Sequence, residues 1–168
     1  KNTLTEPVYA VYSAIVAQSR REIFYAEWGV PDTLTGRFDM ISLHAALVFR
    51  RLRSSEKVSK AFSQSVFDCF FHDMDRPLRE MGVGDLSVPK RIEKMGALFY
   101  GLLSNLSAAL DAGDRAALEG VVARNFQQGE DHPALASFVD YILLNDDILS
   151  TQSVEDIMAG KLTFGDPK

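Results

Sequence analysis

Residues Val88 to Ala112 read VPKRIEKMGALFYGLLSNLSAALDA, and Val88, Ile92, Met95, Phe99, Leu102, Leu106 and Ala109 recur at alternating steps of four and three. That spacing holds them on one stripe of an α-helix. Inside it runs the longest uncharged stretch of the chain, Met95 to Leu110, interrupted by Ser104, Asn105 and Ser107. It is shorter than the roughly 20 apolar residues that a membrane crossing requires. The stretch predicts a buried helix at the centre of a helical fold.

The same period continues outward on both sides. Val8, Tyr12, Ile15, Ser19 and Ile23 share a face that Phe24, Tyr25 and Trp28 extend to the turn WGVPDT, where Pro31 forces an extended Val30. Leu34, Phe38, Ile41, Ala45, Val48 and Leu52 form a second helix, with Thr35 as its cap and arginines at its negative end. A third begins near Lys57 and carries Phe62, Val66, Phe70 and Met74, widened by Phe67 and Phe71. Beyond Gly113 and Asp114 come Leu118, Val122 and Phe126, and beyond GEDHP at 129–133 come Leu135, Phe138, Val139, Ile142 and Leu143. Ser153 with Asp156 approximates a capping box for a last short turn that Gly160 ends. No period-two alternation bounded by turn signals occurs. The expected fold is all-α: one helical domain over residues 1–168, of six or seven helices around a central apolar helix.

Composition narrows the function. At 168 residues the chain has the size of one domain and can bury about 70% of its unfolded surface without a disulfide or a metal. A net charge of −5 argues against direct nucleic-acid binding, although Arg20 with Arg21, and Arg50, Arg51 and Arg53, form small basic clusters. The single cysteine, Cys69, excludes an internal disulfide and suits a reducing compartment. No segment reads as a signal or transit peptide, so a cytoplasmic protein is expected, with little weight on the missing leader because the chain does not begin with Met.

Between the third helix and the stretch first quoted lies HDMDRPLREMGVGDLSVPKR, His72 to Arg91. A metal-dependent or haem-handling enzyme would use Asp68, His72 and Asp75, but neighbouring helical residues point about 100° apart, which separates His72 from Asp73. Pairs four apart (Asp68 with His72, His72 with Arg76, Arg76 with Glu80) make a surface ladder instead. Asp75 then caps a new short helix, Pro77 to Met81, with Gly82 as its left-handed end. GVGD follows no strand and precedes no GK[ST], so it is no phosphate loop. None of the three histidines is spaced to activate Cys69 or a serine. No cofactor is implied. A homodimeric scaffold burying exposed apolar faces is a further alternative.

Yet the corner holds more charged residues than a turn needs. YAEWGVPDTLTGRFDMISLHAALVFRRL (25–52), FDCFFHDMDRPLREMGVGDLSVPKRIEKM (67–95) and FYG (99–101) before an Ala-Leu helix resemble the ubiquinol-cytochrome c chaperone family, over roughly Tyr9 to Asn125. The resemblance implies a non-enzymatic assembly factor for respiratory complex III that binds newly made apo-cytochrome b until haem is inserted. Mitochondrial members act with a small partner protein and contact the ribosome, so both are further partners the resemblance admits. Lacking a leader and an anchor segment, the chain resembles a bacterial member, working in the cytoplasm and peripheral to the inner membrane; a eukaryotic one would be mitochondrial.

A client helix needs an apolar groove or a charged rim. Tyr25 and Trp28, with Phe67, Phe70 and Phe71, are candidates for the first. Asp32, Arg37, His44, Asp73, Asp75, Arg76, Arg79 and Asp85 are candidates for the second, each with a cap, packing or ion-pair role as its alternative. The corner and the WGVPDT turn are expected to form one partner-binding surface.

Overall fold

A computed structural model of the chain describes residues 5–53, 57–85, 87–129 and 131–168. Among them the backbone forms eight helices and no strand: α1 (Thr5–Ser19), α2 (Ile23–Ala26), α3 (Leu34–Leu52), α4 (Lys57–Glu80), α5 (Val88–Ala112), α6 (Arg115–Asn125), α7 (Leu135–Ser150) and α8 (Val154–Met158). Six are long and two are single turns, in keeping with the expected all-α bundle. No helix among the described residues is long and apolar enough to cross a membrane.

The centre belongs to α3, not α5. Eight successive residues, Ser42 to Phe49, are buried, and α1, α4, α5 and α7 all pack on this helix. The strict stripe of α5 does bury Val88, Phe99, Leu102, Leu106 and Ala109, but Leu98 and Tyr100 on its other faces are 60% and 49% exposed. An uncharged helix is not an all-round apolar one: Gly, Ala, Ser and Asn fill the outer faces of α5 and tolerate water.

Three local expectations need correcting. First, α3 is capped by Thr33 rather than Thr35, its hydroxyl accepting the Gly36 amide at 3.1 Å. The VPDT turn folds so tightly that a Cβ on Gly36 would overlap the Pro31 carbonyl, which leaves glycine as the residue that fits. Second, the first helix does not run on to Trp28. It stops at Ser19, and the single turn of α2 swings Phe24 and Trp28 inward to 0% and 3% exposure. Third, α4 continues through Pro77, with no new cap at Asp75. An interior proline costs about 3 kcal/mol. Burial of Met74 and Leu78 beside it offsets this, at roughly 1.5–3 kcal/mol each. Gly82 does close α4 with a left-handed φ of 88°, while Val83 and Gly82 donate back to Leu78 and Arg79.

Two apolar cores result. The larger draws on every helix, with Phe62 and Val66 from the first half of α4. The smaller is built from Phe38, Phe70, Phe71, Met74, Leu78 and Val88, so the phenylalanines expected to line a groove mostly fill a second core. Phe38 and Phe70 stack with centroids 5.1 Å apart, which docks the start of α3 on the last turns of α4. Beyond α8, whose Ser153 accepts the Asp156 amide at 3.0 Å, the residues after Gly160 run as a strap. Gly165 donates to Asn145 at 2.7 Å, its carbonyl accepts from Gln18 at 2.9 Å, and Arg21 pairs with Asp166.

Candidate functional site

Two of the ten candidate residues are sealed inside. His44 is 0% exposed; Nδ1 lies 2.8 Å from the Met40 carbonyl and Nε2 2.6 Å from the Tyr141 hydroxyl. The Met40 carbonyl can only accept, which assigns the proton to Nδ1 and makes Nε2 the acceptor of the Tyr141 proton. Gln18 then donates to the Tyr141 oxygen at 2.8 Å. Burial pushes the imidazole down to about 4, so it is neutral at pH 7. Trp28 packs edge-on to Phe24, with centroids 5.5 Å apart, and its carbonyl accepts from Gln127 at 3.0 Å. Neither side chain offers a partner anything. His44 ties the middle of α3 to Ser19 of α1 and Tyr141 of α7, while Trp28 packs α2 against Phe138 and Tyr141 of α7.

The others divide between two surfaces. A groove of about 1190 Å³ runs between α1, the start of α3 and the C-terminal half of α4. Its floor is apolar: Val16, Leu34, Phe38, Ile41, Phe70 and Met74, half-buried or buried. Tyr25, Asp32 and Arg37 from the WGVPDT side and Asp73 and Arg76 from the corner stand on its edge, together with His72 and Arg20. The remaining three, Asp75, Arg79 and Asp85, do not line it. Arg79 bridges them, donating to Asp75 at 2.9 Å and closely to Asp85, so this trio closes the corner on itself.

The groove's edge is lightly tied. Arg37 pairs with Asp32 at 2.9 Å while both are more than 60% exposed, and Arg76 pairs with Glu80 at 3.4 Å with side-chain exposures of 89% and 68%. Such pairs contribute about 0–1 kcal/mol, so either arginine can exchange its partner at little cost. Tyr25 donates to the Ser19 carbonyl at 2.8 Å, and burial pushes its phenol up to about 12. Tyr12 donates to Asp73 at 2.6 Å and ties the α1 wall to the α4 wall; burial, then Asp73, raises its pKa.

Sequence reasoning placed Tyr12 in the apolar stripe of the first helix and gave Arg20 no part in the site. Tyr12 reaches the groove from α1, and Arg20 from just past its end. Of the metal alternative, Asp68 accepts from Gln64 at 2.8 Å and Asp75 from Arg79, and among the described residues no three His, Cys, Asp or Glu converge on one point. The second basic cluster is no free patch either. Arg50 holds Asp111 at 2.7 Å and Asp146 at 2.9 Å, Arg53 holds Asp111, and Arg51 caps the carbonyls of Leu149 and Gln152. Asp39, half-buried on α3 and in no ion pair among the described residues, is pushed up to about 7 by burial.

Comparison with known proteins places this geometry. A sequence model of the ubiquinol-cytochrome C chaperone family matches residues 26–164, which extends the likeness through α7 and into the strap. The chain is similar to ubiquinol-cytochrome-c reductase complex assembly factor 1 of Xenopus laevis, 21% identical over 150 residues that cover 88% of this chain and 74% of that protein. It superposes on the crystal structure of the Cbp3 homolog from Brucella abortus with a TM-score of 0.88, at 39% identity, over 96% of this chain and 90% of that one.

Proposed function

From the premise that this chain belongs to the ubiquinol-cytochrome c chaperone family, a family of assembly chaperones for ubiquinol-cytochrome c reductase, we propose that it binds newly synthesised cytochrome b in the groove between α1, α3 and α4. It acts by binding and not by catalysis, as one chaperone domain over residues 1–168, at the membrane periphery where its client is inserted. The observation that carries this reading is the groove itself. Its floor is apolar, its edge is charged, and both family-like blocks of sequence contribute to it. A helix of a polytopic membrane protein presents an apolar face before its neighbours arrive, and an apolar trough with exchangeable ion pairs on its edge covers that face without committing to one sequence.

The test is capture of newly translated cytochrome b from a membrane-containing translation extract. Arg37→Ala with Arg76→Ala is expected to reduce capture by roughly thirtyfold or more while the melting temperature holds, because truncations of such contacts cost about 1–2 kcal/mol each. Undiminished capture by the folded double variant refutes the groove as the client site.

A further inference from the structure

The cations of the folded chain are unevenly matched. Arg21, Arg50, Arg79 and Arg115 each hold a carboxylate within 3 Å. Lys90, Arg91 and Lys94 are exposed, and among the described residues none of them forms an ion pair. They occupy the first two turns of α5, where the first turn has no acid and Ser87 supplies no side-chain cap. The helix dipole is positive at that end, so Lys90 and Arg91 in the first turn oppose helix stability. Three exposed cations around the single acid Glu93, in a chain of net charge −5, are a local excess of positive charge that no ion pair among the described residues explains.

The same stripe carries exposed apolar surface. Lys90, Lys94, Leu98 and Gly101 follow one another at steps of four, four and three, with Arg91 alongside, on the side of α5 opposite Val88, Phe99 and Leu106. Leu98 is 60% exposed, and Met81, in the turn that leads towards α5, is 59% exposed. We propose that this outer face of α5 docks on an anionic lipid bilayer, with Lys90, Arg91 and Lys94 over the headgroups and Leu98 in the interface. Two observations favour a bilayer over an acidic protein. Two of the three cations are lysines, which protein interfaces disfavour while they favour arginine. The exposed leucine also lies within the cationic stripe, the arrangement of helices that rest in the headgroup layer.

The inference goes beyond the client reading, because the groove and this stripe share no residue. Its test is flotation of the full chain with vesicles of phosphatidylcholine alone and of phosphatidylcholine mixed with phosphatidylglycerol, at low and high salt. Binding is expected for the mixed vesicles only and is expected to fall with salt. Lys90→Glu with Arg91→Glu and Lys94→Glu should weaken it about a hundredfold or more, and Leu98→Ser severalfold, with melting temperatures confirming that each variant folds. The Arg37→Ala, Arg76→Ala variant should float like the parent chain, so failure of the client reading leaves this result untouched. The proposal is overturned by equal flotation of the charge-reversed variant or by no flotation of the parent chain. Salt-sensitive capture of polyglutamate without vesicle binding overturns it in favour of an acidic protein partner.

Discussion

Around His44 and around Asp75 the chain spends polar residues at similar density, and it spends them in opposite ways. His44, Ser19, Tyr141 and Gln18 form a chain of hydrogen bonds in which every recorded partner is internal and the ring is 0% exposed. Asp75, Arg79, Asp85, Arg76 and Glu80 also pair among themselves, but in water, with side-chain exposures from 44% upward. In the first region each bond holds a buried donor or acceptor that would otherwise be stranded, so breaking one is expensive. In the second, water replaces any lost partner. Unusual polar residues therefore do not by themselves mark a binding surface; what decides is whether solvent can substitute for their partners.

The largest effect should come from breaking the buried side. His44→Ala removes a packed ring and leaves the buried Tyr141 hydroxyl proton without its acceptor, a loss of about 3 kcal/mol or more. The melting temperature is expected to fall by roughly 6–12 °C. A shift under 2 °C would mean that this network does not hold α3 against α1 and α7.

Acid titration sharpens the same contrast, since buried His44 and half-buried Asp39 pull in opposite directions. His44 has a folded value of about 4 against 6.5 ordinarily, so the unfolded chain binds the extra proton and stability is lost as pH falls from about 6.5 towards 4. Asp39 has a folded value of about 7 against 3.8, so the folded chain keeps its proton longer and stability is lost as pH rises from about 4 through 7. The two partly cancel across one window. Asp39→Asn removes the second, and the variant should gain on the order of 1 kcal/mol at pH 8 after allowance for solvent screening, with no gain at pH 4. Thermal melts at both pH values check it. Equal gain at both would place the effect in packing and not in charge.

Much of the architecture was legible because helical periodicity reports burial directly: the stripes from Val8 to Leu143 and the breaks at Gly82, Gly113 and Gly160 fall where the chain turns. The misplaced features share a cause. Nothing local distinguishes Thr33 from Thr35 as a cap; the choice is made by the close approach of the Pro31 carbonyl to Gly36. Nothing local says that Pro77 is tolerated; Met74 and Leu78 settle it by packing against Phe38 and Val88. The site was half legible for the same reason. Both blocks that line the groove stood out as words, but Tyr12 and Arg20 enter it from α1 and just past its end by folding alone, and His44 and Trp28, conspicuous as residue types, are turned inward.

The smallest effect belongs to the exposed trio. Asp75, Arg79 and Asp85 do not line the groove, and the bonds of Arg79 lie in solvent, where an exposed pair adds little. Arg79→Ala with Asp85→Ala should therefore leave the melting temperature within about 2 °C of the parent chain. It should also leave capture of newly made cytochrome b unchanged, whereas Arg37→Ala with Arg76→Ala lowers it. This paired measurement separates two arginines three residues apart on the same helix. Arg76 lines the groove while Arg79 bridges Asp75 to Asp85, so position on the helix face, and not membership of the charged corner, is what the comparison puts at risk. Loss of capture in the Arg79, Asp85 variant with its melting temperature intact would move the binding surface out of the groove and onto the corner's outer face.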